Sequence, residues 1–260
     1  MPALVSLAAH NKVFSTPEFA QAANHAQPAW SRVWMGAAEA GDSAYLAARG
    51  YAHVVANARG SGQSDAGGPA QWDAYDLVEW VASQPWCDGK VGMLGLSAFA
   101  AAQFDAAALR APSLKAIFPY GAHPWHRFRD LYPGGVLHPF LYLLDALSVV
   151  HAQRGAPAEL TPEREAAWNE AMRNPDYAMY PNLYNILSMK GQIYPALFET
   201  LIDPCETEAA MCTASEKLAA IDIPVYLGAS FSAYTYKRHL LGMLHAYRTV
   251  STPKKLMLSG

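Results

Sequence analysis

The residues best suited to do chemistry surround Ser97. Gly95-Leu96-Ser97 follows the apolar run Val91-Gly92-Met93-Leu94, and the alanine-rich Ala98-Phe99-Ala100-Ala101-Ala102-Gln103 comes directly after. That order predicts a short strand, a serine at a sharp corner, and then a helix. Such a corner lifts the hydroxyl above the sheet edge as a nucleophile. The N–H of Ala98, at the helix start, then faces the place where an oxyanion develops. The chemistry would be acyl transfer through a covalent intermediate on serine. Any strand–helix junction also accepts a serine as an ordinary N-cap, so both roles are open for Ser97. The second glycine of the G-x-S-x-G pattern is replaced by Phe99.

The flanking chain supplies elements that would hold this corner. Ala3–Leu7 and Ala52–Ala56 read as short buried strands, and Ser43–Arg49 as a helix closed by Gly50. Trp72–Ser83 spaces Trp72, Tyr75, Leu77, Val78 and Val81 along one helical face, and Pro85 ends it. Leu114–Pro119 reads as a fourth strand. Ile223–Leu227 and Lys255–Leu258 are later strands on either side of a helix through Lys237–Tyr247. Strands alternating with helices predict a parallel sheet covered on both faces.

Between His126 and about Ala220 the alternation stops. Pro139–His151 is mostly apolar, Thr161-Pro162-Glu163 is a helix start running on to Met172, and Glu206–Leu218 is a further helical stretch. This predicts an α/β chain in which residues 1–125 and 221–260 form the core and residues 126–220 an inserted helical cap. The tyrosines and leucines of the cap either shape an apolar pocket or pack the lobe itself. Trp125 and Tyr132 flank its start as candidate hinge or wall residues.

Composition narrows the partners. The 260 residues are 52% hydrophobic and 16% charged, with a net charge of −3 and no basic run, which argues against nucleic acid. Cys87, Cys205 and Cys212 form no C-x-x-C pair, which fits a cytoplasmic chain without a disulfide or metal framework. No apolar stretch reaches the roughly 20 residues of a membrane span. Gly60-Ser61-Gly62 lacks the lysine and length of a phosphate loop, so no cofactor is expected. A homo-oligomer is compatible with these features.

Three runs together carry a family resemblance: Arg59-Gly60-Ser61-Gly62-Gln63-Ser64, Tyr75-Asp76-Leu77-Val78-Glu79-Trp80, and Gln84-Pro85-Trp86-Cys87-Asp88-Gly89-Lys90-Val91-Gly92-Met93. With Leu114–Pro119, Tyr132-Pro133-Gly134-Gly135, Ile223–Tyr226 and Pro253–Leu256, they resemble the X-Pro dipeptidyl-peptidase and cocaine-esterase family of α/β-hydrolases. The resemblance implies a serine hydrolase acting on a small ester or amide with an apolar acyl group, with Ser97 as nucleophile. The alternative is a non-catalytic binding protein on the same fold.

Relatives place a tyrosine hydroxyl after an early strand as the second oxyanion donor. Here Ala8-Ala9-His10-Asn11-Lys12 puts His10 there, either as a substitute donor or as a plain loop histidine. The family's aspartate after the late strand has no counterpart in Gly228-Ala229-Ser230-Phe231-Ser232-Ala233-Tyr234, which leaves the acid unassigned and Asp130 the nearest carboxylate on the preceding strand's loop. The base is expected beyond Gly260. His239 and His245 fall on the last helix, away from the strand ends, while His123 and His126 follow the fourth strand as pocket-lining or surface residues. Both ends look shortened, as in a fragment of a larger hydrolase.

Overall fold

The computed structural model describes residues 1–8, 39–61, 64–65, 72–122, 160–191, 198, 201–202, 215–231 and 239–259. Six strands are all parallel: β1 (Ala3–Ala8), β2 (Ala52–Asn57), β3 (Val91–Leu96), β4 (Leu114–Tyr120), β5 (Val225–Ser230) and β6 (Lys254–Ser259). Their order across the sheet is β2-β1-β3-β4-β5-β6, so β3 is an inner strand with β1 and β4 as neighbours. Near-continuous burial along β1 and β3 follows from helices covering both faces of a parallel sheet.

Helix α1 (Ser43–Ala47) starts at Asp42, whose carboxylate accepts from the N–H groups of Ala44 and Tyr45. Helix α2 (Asp73–Ala82) buries Ala74, Val78 and Val81, and α3 (Ala98–Ala108) buries Ala100, Phe104 and Ala107. The return helix α7 (Leu240–Thr249), numbered after three helices of the second unit, adds Met243 and Ala246 to one shared core with Val5, Met93, Ile117 and Leu227. Strand β5 starts two residues later than the sequence suggests. Pro224 has no N–H for the ladder, and its carbonyl instead accepts from Ile117 N–H at 3.2 Å.

The chain divides into two compact units, Met1–Asp130 with Glu208–Gly260, and Leu131–Thr207. In the second unit, α4 (Pro162–Arg173), α5 (Pro175–Ala178) and α6 (Pro181–Ser188) each carry proline in the first turn. Ala171, Ile186, Leu187, Phe198, Leu201 and Ile202 form its own core, and Trp168 Nε1 donates to Leu187 O at 2.8 Å. Residues 215–219 are helical, and Leu218, expected in the cap, is buried in the core of the sheet unit. The expected helix Pro139–His151 lies outside the described residues.

Candidate active site

Ser97 follows the last residue of β3 and precedes the first residue of α3, at φ 58° and ψ −115°. A non-glycine residue in this region carries strain of about 1–3 kcal/mol and persists only where its surroundings hold it. The holding bonds are visible. Ser97 N–H donates to Tyr120 O at 3.0 Å, and Ser97 O accepts from the N–H groups of Ala100 and Ala101, both at 3.0 Å. One residue earlier, Leu96 N–H donates to Glu39 O at 2.9 Å. The Ser97 side chain makes no capping hydrogen bond, so the hydroxyl does not act as an ordinary N-cap.

Phe99 is compatible with the corner because Gly95 makes the room. Gly95 has φ 148°, and a Cβ built there would meet the Phe99 Cβ at 2.4 Å. The phenyl ring is 1% exposed and packs with Ala8 and Ala40. Only the Cβ of residue 99 faces the strand, so one glycine, at 95, suffices for the close crossing. Gln103 ties the helix back, donating from Nε2 to Phe99 O at 3.0 Å and to Gly95 O at 3.4 Å. Ala98, half buried, presents the first N–H of α3, a position that has no acceptor within the helix.

The other candidates are placed unevenly. His10, His123, Trp125, His126, Asp130 and Tyr132 lie outside the described residues. His245 sits within α7 and shares Nε2 with Ser215 Oγ at 3.1 Å. His239 corrects the expectation that both helix histidines stand away from the strand ends. Since β5 and β6 are parallel, α7 runs back between them, and its N-terminal end lies at the sheet edge that bears Ser97. His239 is the residue preceding that end, 3% exposed.

A cavity of about 400 Å³ opens at the same edge beside β1 and β2, lined by Leu7, Asn57, Arg59, Asp73, Asp76 and Trp80 among others, but not by Ser97. Arg59 is committed within it, with Nε at 2.6 Å from Asp73 Oδ1 and Nη2 at 3.5 Å from Asp76 Oδ2. Among the described residues no group of three His, Cys, Asp or Glu side chains is arranged to hold a metal ion. Sequence reasoning missed Tyr120, whose part in the corner is played by a backbone carbonyl and so leaves no side-chain signature.

Comparisons with known proteins bear on the family and the fold. A family model described as X-Pro dipeptidyl-peptidase (S15 family) matches residues 1–259. A cocaine esterase from Rhodococcus sp. (strain MB1 Bresler) is 37% identical over 98 residues, 34% of this chain and 16% of that protein. Among solved structures, a CocE/NonD family hydrolase from Staphylococcus aureus superposes with a TM-score of 0.60 at 17% identity, covering 99% of this chain and 41% of that one. An aminopeptidase from a Thaumarchaeota archaeon gives 0.54 at 15% identity, covering 98% and 43%. These structural likenesses establish an α/β-hydrolase fold, and the chain spans less than half the length of either solved protein.

Proposed function

This chain belongs to the X-Pro dipeptidyl-peptidase (S15) family, and on that premise we propose that it is the nucleophile-bearing part of a serine hydrolase. Ser97 attacks the carbonyl of a small ester or amide, and the oxyanion is received by Ala98 N–H with His10 as second donor. The acyl group stays on Ser97 Oγ until water releases it. The substrate carries an apolar acyl group, and the working compartment is the cytoplasm. The observation that carries this reading is the strained corner at Ser97, with its hydroxyl uncommitted to capping, at the C-terminal end of an inner parallel strand.

A serine hydroxyl without a base is a weak nucleophile at neutral pH. Oxyanion stabilisation and binding alone leave roughly 10³–10⁴-fold acceleration in serine hydrolases that have lost a triad member. The purified chain is expected to label on Ser97 with a fluorophosphonate and to turn over p-nitrophenyl acetate. Ser97→Ala should abolish the labelling, and labelling that survives the substitution removes Ser97 from the mechanism. A second reading, a binding protein on the hydrolase fold, is favoured by one observation: residues 228–238 contain no carboxylate. No labelling of the folded wild type would support it.

A further inference from the structure

The strain at Ser97 needs a counter-tether on the side away from α3, and Tyr120 is built to supply it. Tyr120 is the last residue of β4 and 5% exposed. Its carbonyl accepts the Ser97 N–H at 3.0 Å, which joins β4 to the corner after β3. Its ring packs against β5 at Gly228, where a built Cβ would meet Tyr120 Cδ2 at 2.2 Å. Its phenol reaches the end of β6, with Oη at 2.6 Å from Ser259 Oγ. The next peptide completes the attachment, as Gly121 N–H donates to Gly228 O at 2.8 Å. One residue therefore binds the nucleophile corner to three strands.

We propose that Tyr120 is a positioning residue for Ser97: its phenol, anchored on Ser259 across Gly228, fixes the carbonyl that holds the strained Ser97 peptide. The inference rests on the reading of Ser97 as nucleophile for its catalytic meaning. Its geometry stands without it. The argument is one of over-determination. A backbone at φ 58° relaxes unless the acceptor of its N–H is itself immobile. Tyr120 is paired in the ladder with Leu96 and Gly228, and its side chain adds a further attachment at Ser259. Gly228 belongs to the device, because any larger residue would lift the ring from β5 and break its reach to Ser259.

The test uses the full chain with Tyr120→Phe, Ser259→Ala and the double variant. The first keeps the ring and the second removes the hydroxyl partner, so neither disturbs the core. Amide hydrogen exchange at Ser97 is read by NMR, with Ile117, bonded to Pro224 O further back on β4, as reference. Each single variant should speed exchange at Ser97 by about twofold to tenfold, the worth of one hydroxyl hydrogen bond. Exchange at Ile117 should stay unchanged, and the double variant should go no further, since both changes break one bond. The rate of fluorophosphonate labelling should fall by a similar factor with its pH profile unmoved. Unchanged Ser97 exchange in both single variants overturns the proposal. So does an equal rise at Ile117, which would mark a general loss of stability, or a double variant whose effects multiply. If wild-type Ser97 takes no label, the nucleophile reading fails, while the exchange data still decide whether Tyr120 holds the corner.

Discussion

His53 occupies a place where a charge is costly. It lies on β2 with Nε2 at 3.0 Å from Ser6 Oγ and Nδ1 at 2.8 Å from Ser43 Oγ. Ser6 is fully buried, and its hydroxyl donates toward two carbonyls, Leu94 O at 2.8 Å and Ala40 O at 3.2 Å. Nε2 therefore carries the ring proton and donates to Ser6, and Ser43 donates to Nδ1. Burial lowers the His53 pKa from its ordinary 6.5 to about 4, with Asp42 opposing the shift. Between these values the unfolded chain binds a proton that the folded one refuses, so stability is complete above 6.5 and declines as pH falls toward 4. The loss from pH 7 to 5 should be about 2 kcal/mol. Urea midpoints at both pH values should show it, and His53→Gln should remove most of the difference between them. A wild type and variant with equal pH slopes would contradict the assignment. At this scale the sequence reveals side chains that act through their own type and spacing, which is how Gly95, Ser97 and Ala98 are legible. Tyr120 acts through a carbonyl and through a phenol whose partner is 139 residues away, and Phe99 fits because a glycine four residues earlier yields to it. None of these has a local pattern.

Two of the runs that carry the family resemblance join elements of the sheet unit. Arg59, in the loop after β2, receives Asp73 at the start of α2 twice: its backbone N–H donates to Oδ2 at 2.8 Å and its Nε to Oδ1 at 2.6 Å. Glu79, one helical turn before the end of α2, accepts from Ser113 N–H and Ser113 Oγ, both at 2.9 Å, and so fixes the entry to β4. Hydrogen bonds to an ionised carboxylate are the stronger kind, worth about 1.5–3 kcal/mol each where partly buried. Glu79→Gln keeps one acceptor oxygen and turns an NH2 group toward a donor, and should cost about 1–2 kcal/mol in thermal or urea unfolding. An unchanged midpoint would mean that the pair is fully replaced by water. The strands and helices of the sheet unit are legible because their apolar spacing and turn residues are local. The start of β5 is not, because Pro224 continues the apolar run Ile223–Leu227 while offering no N–H to the ladder.

Across the whole molecule, the two units carry separate cores. The sheet unit closes on Val5, Val78, Met93, Phe104, Ile117, Leu227 and Met243, all from its own elements. The helical unit closes on Ile186, Leu187 and Phe198 from its own. Among the described residues neither core draws on the other unit, which predicts that the sheet unit folds without the helical one. Replacing residues 131–207 by a short Gly/Ser linker should therefore leave a cooperative unfolding transition and fluorophosphonate labelling of Ser97. If the site takes an apolar acyl group, the intact chain gains from the two extra methylenes of p-nitrophenyl butyrate over the acetate. At about 0.8 kcal/mol per buried methylene, that is roughly a tenfold preference in kcat/KM. A shortened chain that treats the two esters within about twofold would place the acyl contacts in residues 131–207. A shortened chain that still prefers butyrate tenfold would place the acyl contacts in the sheet unit. One that fails to fold would show that the two cores depend on each other after all.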